Sequence, residues 1–474
     1  MQFNSLIFLL FFLVVFILCR LAFPWKATKV ILLVSSYLFY AAWNPVLVLI
    51  LFACTIVSWL DSELIDRPRN QAQKRLILTI GIILNLGLLA YFKYADFFLS
   101  NLINLLRLLN VSVTFAKPSI VLPIGISFYI FRSLSYNIDV YRGKIKACPS
   151  FLDYALYVSF FPQLLAGPIV RAGDFLPQLA EPKKANSDQL GWGFSLLAIG
   201  IFQKQILCDL FLAPVADKVF NAVQKPLMID AWVGAVAFTG QIFFDFSAYS
   251  TCAIGVAMCF GFSTMDNFKF PYAAIGFQDF WRRWHISLSI WLRDYLYIPL
   301  GGNRGGELRT YFNLLMTMLL GGLWHGAGWR FVAWGGLHGI FLAGERIAKK
   351  YWGDVKFFQK LPARIFFWLL TYVGVCIAWV FFRAESFGKA FRIISSMVSG
   401  GLVFSNIGLR DIAFVVPVSV LLLAAHWLLR DSSLEEAAKK IPWWLQAVIL
   451  ASIVIGSILG MTRGDMREFI YFQF

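Results

Sequence analysis

Apolar runs about one bilayer thickness long follow one another through this sequence, and the stretches between them are short and basic. A membrane span needs roughly 20 apolar residues, fewer when it is short or re-entrant. The runs that qualify are 5–23, 28–42, 45–60, 76–98, 150–166, 190–213, 231–262, 310–325, 329–345, 363–382, 410–429 and 443–461. The stretch Val121–Tyr136 is also apolar, but Pro123, Gly125 and Arg132 interrupt it, so it either spans or re-enters. About eleven to thirteen membrane segments are expected, some too short to cross fully. The pattern predicts an all-α polytopic membrane protein made of one integral membrane domain over residues 1–474.

Composition agrees. Of the 474 residues 59% are hydrophobic and 14% charged, against about 25% charged in soluble domains. The net charge of +16 would suggest nucleic acid in a soluble chain. Here the cations crowd into loops, as the positive-inside rule explains, and no nucleic-acid motif is present. Arg67, Arg69, Lys74 and Arg75 mark one loop as cytoplasmic, and Arg346, Lys349, Lys350, Lys356, Lys360 and Arg364 mark another. Arg142, Lys144 and Lys146 form a third cluster. Seven cysteines contain no Cys-x-x-Cys pair and read as buried apolar residues, not as a disulfide or metal framework. The apolar stretch Leu6–Leu18 lacks a basic leader and a cleavage site, so it reads as a retained first span.

Against this background ionisable groups stand out, because at membrane depth they are costly and usually functional. His325 lies within Leu319–Gly328, a run rich in glycine. Such glycines permit irregular backbone around a cavity. A neutral, desolvated imidazole there could act as a base; it could equally be a packing residue bonded to a carbonyl. His285 belongs to a second polar island. Arg282, His285, Ser289 and Arg293 fall on one side of a continuous helix, with Trp284, Leu288, Trp291 and Tyr295 on another. That helix reads either as amphipathic and interfacial or as the wall of an aqueous funnel, with His285 polarising a substrate. His338 and His426 read as packing residues. Asp245, inside the apolar run around Gln241–Tyr249, needs an arginine, an amide or a hydroxyl as partner; a structural ion pair and direct catalysis both remain open. Pro162 and Pro168 kink the 160–171 segment. No phosphate-binding loop, His-Glu-x-x-His or Gly-x-Ser-x-Gly occurs.

These segments resemble the membrane-bound O-acyltransferase (MBOAT) superfamily, most closely the branch containing the membrane subunit of alginate O-acetylation. The resemblance rests on FFPQLLAGPIVR (160–171), QIFFDFSAYS (241–250), FWRRWHISLSIWLRDYLYIPLGGNRGG (280–306) and GGLWHGAGW (321–329). The opening MQFNSLIFLLFF and the closing FIYFQF (469–474) fit as well. It covers essentially the whole chain, with a motif core at about 120–345. The resemblance implies a ring of tilted spanning and re-entrant helices around a central funnel. It implies His325 as the catalytic histidine and His285 as a second, more variable position. Arg282, Ser289, Arg293, Asp245, Trp324 and Asn303 are then expected to bind substrate or line the funnel.

The reaction so implied moves an acetyl group, with acetyl-CoA as donor substrate and no tightly bound cofactor or metal, across a bacterial inner membrane. A transient acyl-histidine is an alternative. A separate periplasmic or extracellular acetyltransferase would receive the group and modify a polysaccharide such as alginate or peptidoglycan. Two rival readings stand beside it: a D-alanyl transferase of teichoic acid assembly, and a non-enzymatic transporter.

Overall fold

In the computed structural model the described residues are 1–111, 120–352, 360–399, 401, 407–461 and 467–470. Lys356 of the basic loop and the last four residues of the closing motif lie outside them. Among the described residues every regular element is a helix. Seven helical stretches are long and apolar enough to cross a membrane: Leu47–Asp66, Gln71–Leu108, Ser187–Phe220, Met228–Cys259, Leu361–Arg383, Leu409–Leu428 and Trp443–Met461. The chain is an all-α polytopic membrane protein. Of the five other predicted spans, 150–166 divides into Phe151–Ser159 and Phe161–Leu164, and four form helices outside that class: Leu6–Arg20, Trp25–Ala41, Gly306–His325 and Trp329–Trp352. The first two are short, and the last two carry charges such as Glu307, Arg309, Glu345 and Arg346. The chain packs as two compact units, Met1–Phe194 with Ala253–Met265, and Ser195–Cys252 with Asp266–Phe474.

In the first unit the interrupted stretch Val121–Tyr136 resolves into the helix Ile126–Tyr141, which starts after Gly125 at a φ of 77°. Its fully buried Arg132 has a structural task. Phe151–Ser159 ends and a one-turn helix, Phe161–Leu164, begins with Pro162 inside it. The Val158 carbonyl would ordinarily receive the amide of residue 162, and proline has none. Arg132 supplies the donor instead, at 3.0 Å from Val158 O, and also reaches the Gln163 carbonyl. Without it, backbone acceptors would be stranded where water cannot replace them.

The second unit is organised by an antiparallel hairpin of Gly306–His325 and Trp329–Trp352. Glycine lets the two helices touch. A Cβ on Gly322 would collide with the Phe331 carbonyl oxygen, and one on Gly335 with that of Met318. Close crossings through small residues are how helices associate in lipid, where apolar side chains gain nothing by leaving the solvent. Leu361–Arg383 packs next and returns antiparallel, and Arg330 near the hairpin turn donates to the Ala384 carbonyl at 2.8 Å. Burial varies sharply among the spans. Within their apolar windows, 83% of Met228–Cys259 is buried but only 6% of Trp443–Met461. The first is a core helix and the second presents its side chains to lipid.

Candidate active site

His325 is the last residue of its helix, just before the chain turns at Gly326. It is 3% exposed. Aromatic rings enclose it: Trp334 at 4.9 Å, Trp324 at 5.0 Å and Phe382 at 5.6 Å between centroids. The His285 ring is 6.3 Å away and wholly buried. Phe246 of the core helix meets the His285 ring edge-on at 4.6 Å.

His285 reaches this position through a break in the helix. Phe277–Arg283 ends, Trp284 is extended, and His285 adopts φ 42°, ψ 55° before Ile286–Leu292 begins. Left-handed backbone is costly for a side chain with a Cβ. The neighbouring segment holds it in place. Lys269 N–H donates to the Arg283 carbonyl and Ile286 N–H to the Asn267 carbonyl, both at 2.9 Å. The Asn267 side chain adds an Oδ1 contact to His285 Nδ1 at 3.1 Å.

A cavity of about 720 Å³ lies beside the pair. Arg282, Ser289, Arg293 and Asn303 line it, as do Arg346 and Lys349 from the end of the helix that leads into the basic loop. Its apolar residues include Ile286, Leu292, Leu314 and Met318. Ile286 is adjacent to His285, and Met318 lies about two turns before His325, or about 10 Å along the helix. The wall is braced from below by Asp279, which accepts from Arg283 and Arg430, each at 2.8 Å, and from the Ile275 amide at 3.0 Å. Burial pushes the Asp279 carboxyl up, but these donors outweigh it and hold it below its ordinary value.

A second, smaller cavity of about 260 Å³ is lined by charge. Lys204 bridges Asp245 at 2.7 Å and Asp209 at 2.9 Å. Asp217 accepts from Arg383 at 2.7 Å and pairs with Arg467. Asp245 also takes the Ile470 amide at 2.7 Å. Cys208, Asp209 and Asp245 present donor atoms within 4.8 Å of one another, but the Lys204 ammonium already bridges both carboxylates, so this reads as an ion cluster.

The two cavities approach the histidines from different directions. Asp245 lines the charged cavity, and its neighbour Phe246 packs on His285. Arg383 lines it too, and its neighbour Phe382 packs on His325. Arg383 ends a 23-residue helix, which is about 34 Å long and begins beside the basic loop. Residues adjacent to the imidazoles, or adjacent to rings packed on them, thus line both a cavity at the basic-loop end and an ion-lined cavity at the Arg383 end of that helix.

The family profile described as MBOAT, membrane-bound O-acyltransferase family, matches residues 8–383. This chain belongs to the membrane-bound O-acyltransferase family. As a member of it, the protein is an acyltransferase. It is 38% identical to a probable alginate O-acetylase of Pseudomonas putida, with all of both chains covered. It is 34% identical to a peptidoglycan O-acetyltransferase of Helicobacter pylori, over 94% of this chain and 91% of that one. A teichoic acid D-alanyltransferase of Bacillus subtilis is 26% identical over 56% of this chain and 69% of its own.

Within this acyltransferase the anticipated site residues separate. Arg282, Ser289, Arg293 and Asn303 line one cavity. Trp324 instead walls the histidine pair, and Asp245 belongs to the ion cluster. Its partners are the Ile470 amide, one of the three kinds anticipated, and a lysine, which was not among them. The single continuous helix drawn through residues 282–293 does not exist. The left-handed residue at His285 breaks it, turning His285 inward while Arg282, Ser289 and Arg293 keep to the cavity. The interfacial reading fails with it, since Trp284 and Leu288 are fully buried in protein and Tyr295 is 8% exposed. His338 and His426 are packing residues: His338 Nδ1 accepts from the Trp281 indole at 3.3 Å, and His426 Nδ1 from the Tyr272 amide at 3.1 Å. Lys204 and Asn267 were not singled out from sequence. A lone lysine inside the apolar run 190–213 was the available signal for the first; nothing local marks the second.

Proposed function

We propose that this acyltransferase moves an acetyl group from acetyl-CoA, entering from the cytoplasm, through the bacterial inner membrane for O-acetylation of a cell-envelope or secreted polysaccharide. The observation that carries this reading is the buried pair of imidazoles, 6.3 Å apart, with Ile286 next to one of them lining the larger cavity. Arg282, Arg293, Arg346 and Lys349 line the cavity at the basic-loop end against one carboxylate, Glu345, with Arg293, Arg346 and Lys349 paired to Asp294, Glu307 and Glu345. A low-dielectric cleft lined by cations concentrates an anionic donor such as a coenzyme A thioester. The acyl end would pass Leu292 and Met318 to reach the histidines.

There His325 acts as general base. It takes the proton of an acceptor hydroxyl as the oxygen attacks the thioester carbonyl. The tetrahedral adduct collapses, the carbon–sulfur bond breaks, and the imidazolium returns its proton to the departing thiolate. Aromatic walls suit this step because they exclude water that would hydrolyse the thioester. The acceptor approaches from the ion-lined side. A separate exported acetyltransferase then receives the group and modifies the polymer. The full-length similarity to proteins named for alginate and for peptidoglycan O-acetylation supports a polysaccharide as the final acceptor. The shorter match to the teichoic acid enzyme lends D-alanyl transfer less support.

The test is His325→Ala, produced at wild-type level in membranes. Polymer O-acetylation and acetyl-CoA consumption should both disappear. Wild-type acetylation by that folded variant would overturn the role given to His325, and membranes that use only a D-alanyl-loaded carrier would overturn the donor.

A further inference from the structure

We infer that Asn267 is a positioning residue that locks His285 as its Nδ1–H tautomer, so that Nε2 is the ring's acceptor nitrogen. Its catalytic meaning rests on the function proposed above, but the tautomer itself follows from geometry alone.

Asn267 is 1% exposed, in the segment alongside the break at His285. An amide side chain can in principle sit either way round, with oxygen and nitrogen exchanged, and its neighbours decide. Here the backbone N–H of Ser287 points at Oδ1 from 3.3 Å, and the Ser287 hydroxyl lies 2.9 Å from the same atom. A backbone N–H can only donate, so the atom it meets must be the carbonyl oxygen. Nδ2 then faces Ser250 Oγ at 3.2 Å, which can accept. Reversing the amide would oppose two N–H donors at Ser287. With Oδ1 fixed as an acceptor, the His285 Nδ1 at 3.1 Å has to carry a hydrogen. In a neutral imidazole the other nitrogen is then a bare acceptor.

The same asparagine also fixes the backbone, because its own carbonyl receives the Ile286 amide and so stabilises the left-handed residue. One residue thus sets where the ring is, how it is turned and which nitrogen holds the lone pair. Of the groups packed on the ring, His325 titrates, whereas Phe246, Trp324 and Asn267 do not. Partners that orient a metal-bound histidine matter about 10- to 100-fold, and a loss of the same order is expected for this ring.

The chain has four histidines, so 15N-histidine NMR of the purified full chain can be assigned by replacing each in turn. In the wild-type protein the His285 ring should appear as the Nδ1–H tautomer. Asn267→Ala should shift it toward Nε2–H and lower kcat for acetyl-CoA-dependent transfer about 10- to 100-fold, with the donor KM unchanged. Asn267→Asp keeps an acceptor and should restore most of the rate while moving the acid limb of the pH profile upward, because a carboxylate favours the imidazolium. A wild-type ring in the Nε2–H form overturns the inference even if no variant folds. So does an unaltered kcat in Asn267→Ala or an unmoved limb in Asn267→Asp. Those failures leave the role of His325 intact, since that role falls only with the His325→Ala experiment.

Discussion

Two groups of ionisable side chains sit in apolar surroundings in the second unit, and they solve the cost of burial in opposite ways. Around Lys204, charge is kept and compensated: one ammonium bridges Asp245 and Asp209, and Asp217 takes two arginines. Around His325, the walls are aromatic rings and the nearest titratable ring is His285. A compensated ion cluster is locked by its own pairing. The proposed function asks an imidazole walled by rings to gain and lose a proton. The difference teaches that two polar groups at membrane depth can be housed in unlike ways, by ion pairing in one place and by aromatic packing in the other.

Mutation should separate the two groups, and the largest effect is expected at the histidines. Removing a general base costs about 10²- to 10⁴-fold in rate. His325→Ala should lose activity on that scale while its thermal unfolding stays near wild type. His285→Ala should lose less. If His325→Ala instead unfolds and the residual folded fraction is fully active, the histidine belongs with the structural group and the comparison breaks.

Next comes Lys204→Met. It leaves two buried carboxylates facing each other, and breaking a buried pair from one side costs about 3–5 kcal/mol. The expected signature is a lower Tm and a lower yield, with a much smaller loss of kcat per folded molecule than in His325→Ala. The double variant Lys204→Met with Asp245→Asn should be less unstable than the sum of the two single changes. Additive losses would show that the two side chains do not act as a unit.

How far the sequence foretold this arrangement depends on the distance over which each feature is encoded. The helical membrane architecture is written in local hydropathy. The glycine-rich setting of His325 is also local, and the structure gives it a packing role, since Gly322 and Gly335 let the two helices of the hairpin touch. What periodicity could not reveal is the break at His285. Helical spacing from Arg282 to Arg293 is regular, and the left-handed turn is imposed by Asn267, 18 residues earlier in the chain. The division of Asp245 from the other anticipated residues is likewise tertiary: it is decided by Lys204, 41 residues away and separated by another helix. Spacing identifies which residues share a helix face, but not which cavity that face meets.

The hairpin offers a third test of the same contrast. Gly335→Leu would drive a side chain into the Met318 carbonyl, and forced overpacking costs about 1–3 kcal/mol. Because this contact aligns the His325 helix, activity should fall further than the stability loss explains. The ion cluster, anchored on other helices, should remain intact, as read from the unaltered additional destabilisation caused by Lys204→Met in this background. Equal losses in stability and activity would mean that the hairpin sets only the fold.

The smallest effect is expected at Asp279, which joins the cavity wall to Arg430. Its carboxyl is held below its ordinary value by Arg283, the Ile275 amide and Arg430, despite burial. A depressed folded value stabilises the protein wherever the carboxylate is charged in the folded state and would also be charged when unfolded. That contribution is complete above about pH 4, the ordinary carboxylate range, and is lost as pH falls through the lower, folded value. Asp279→Asn should therefore lower Tm by a constant amount between pH 7 and pH 5, corresponding to about 1–3 kcal/mol for hydrogen bonds to a charged group. Below about pH 4 the wild-type curve should fall toward that of the variant. A gap that persists undiminished at low pH would mean that the aspartate works by shape rather than by charge.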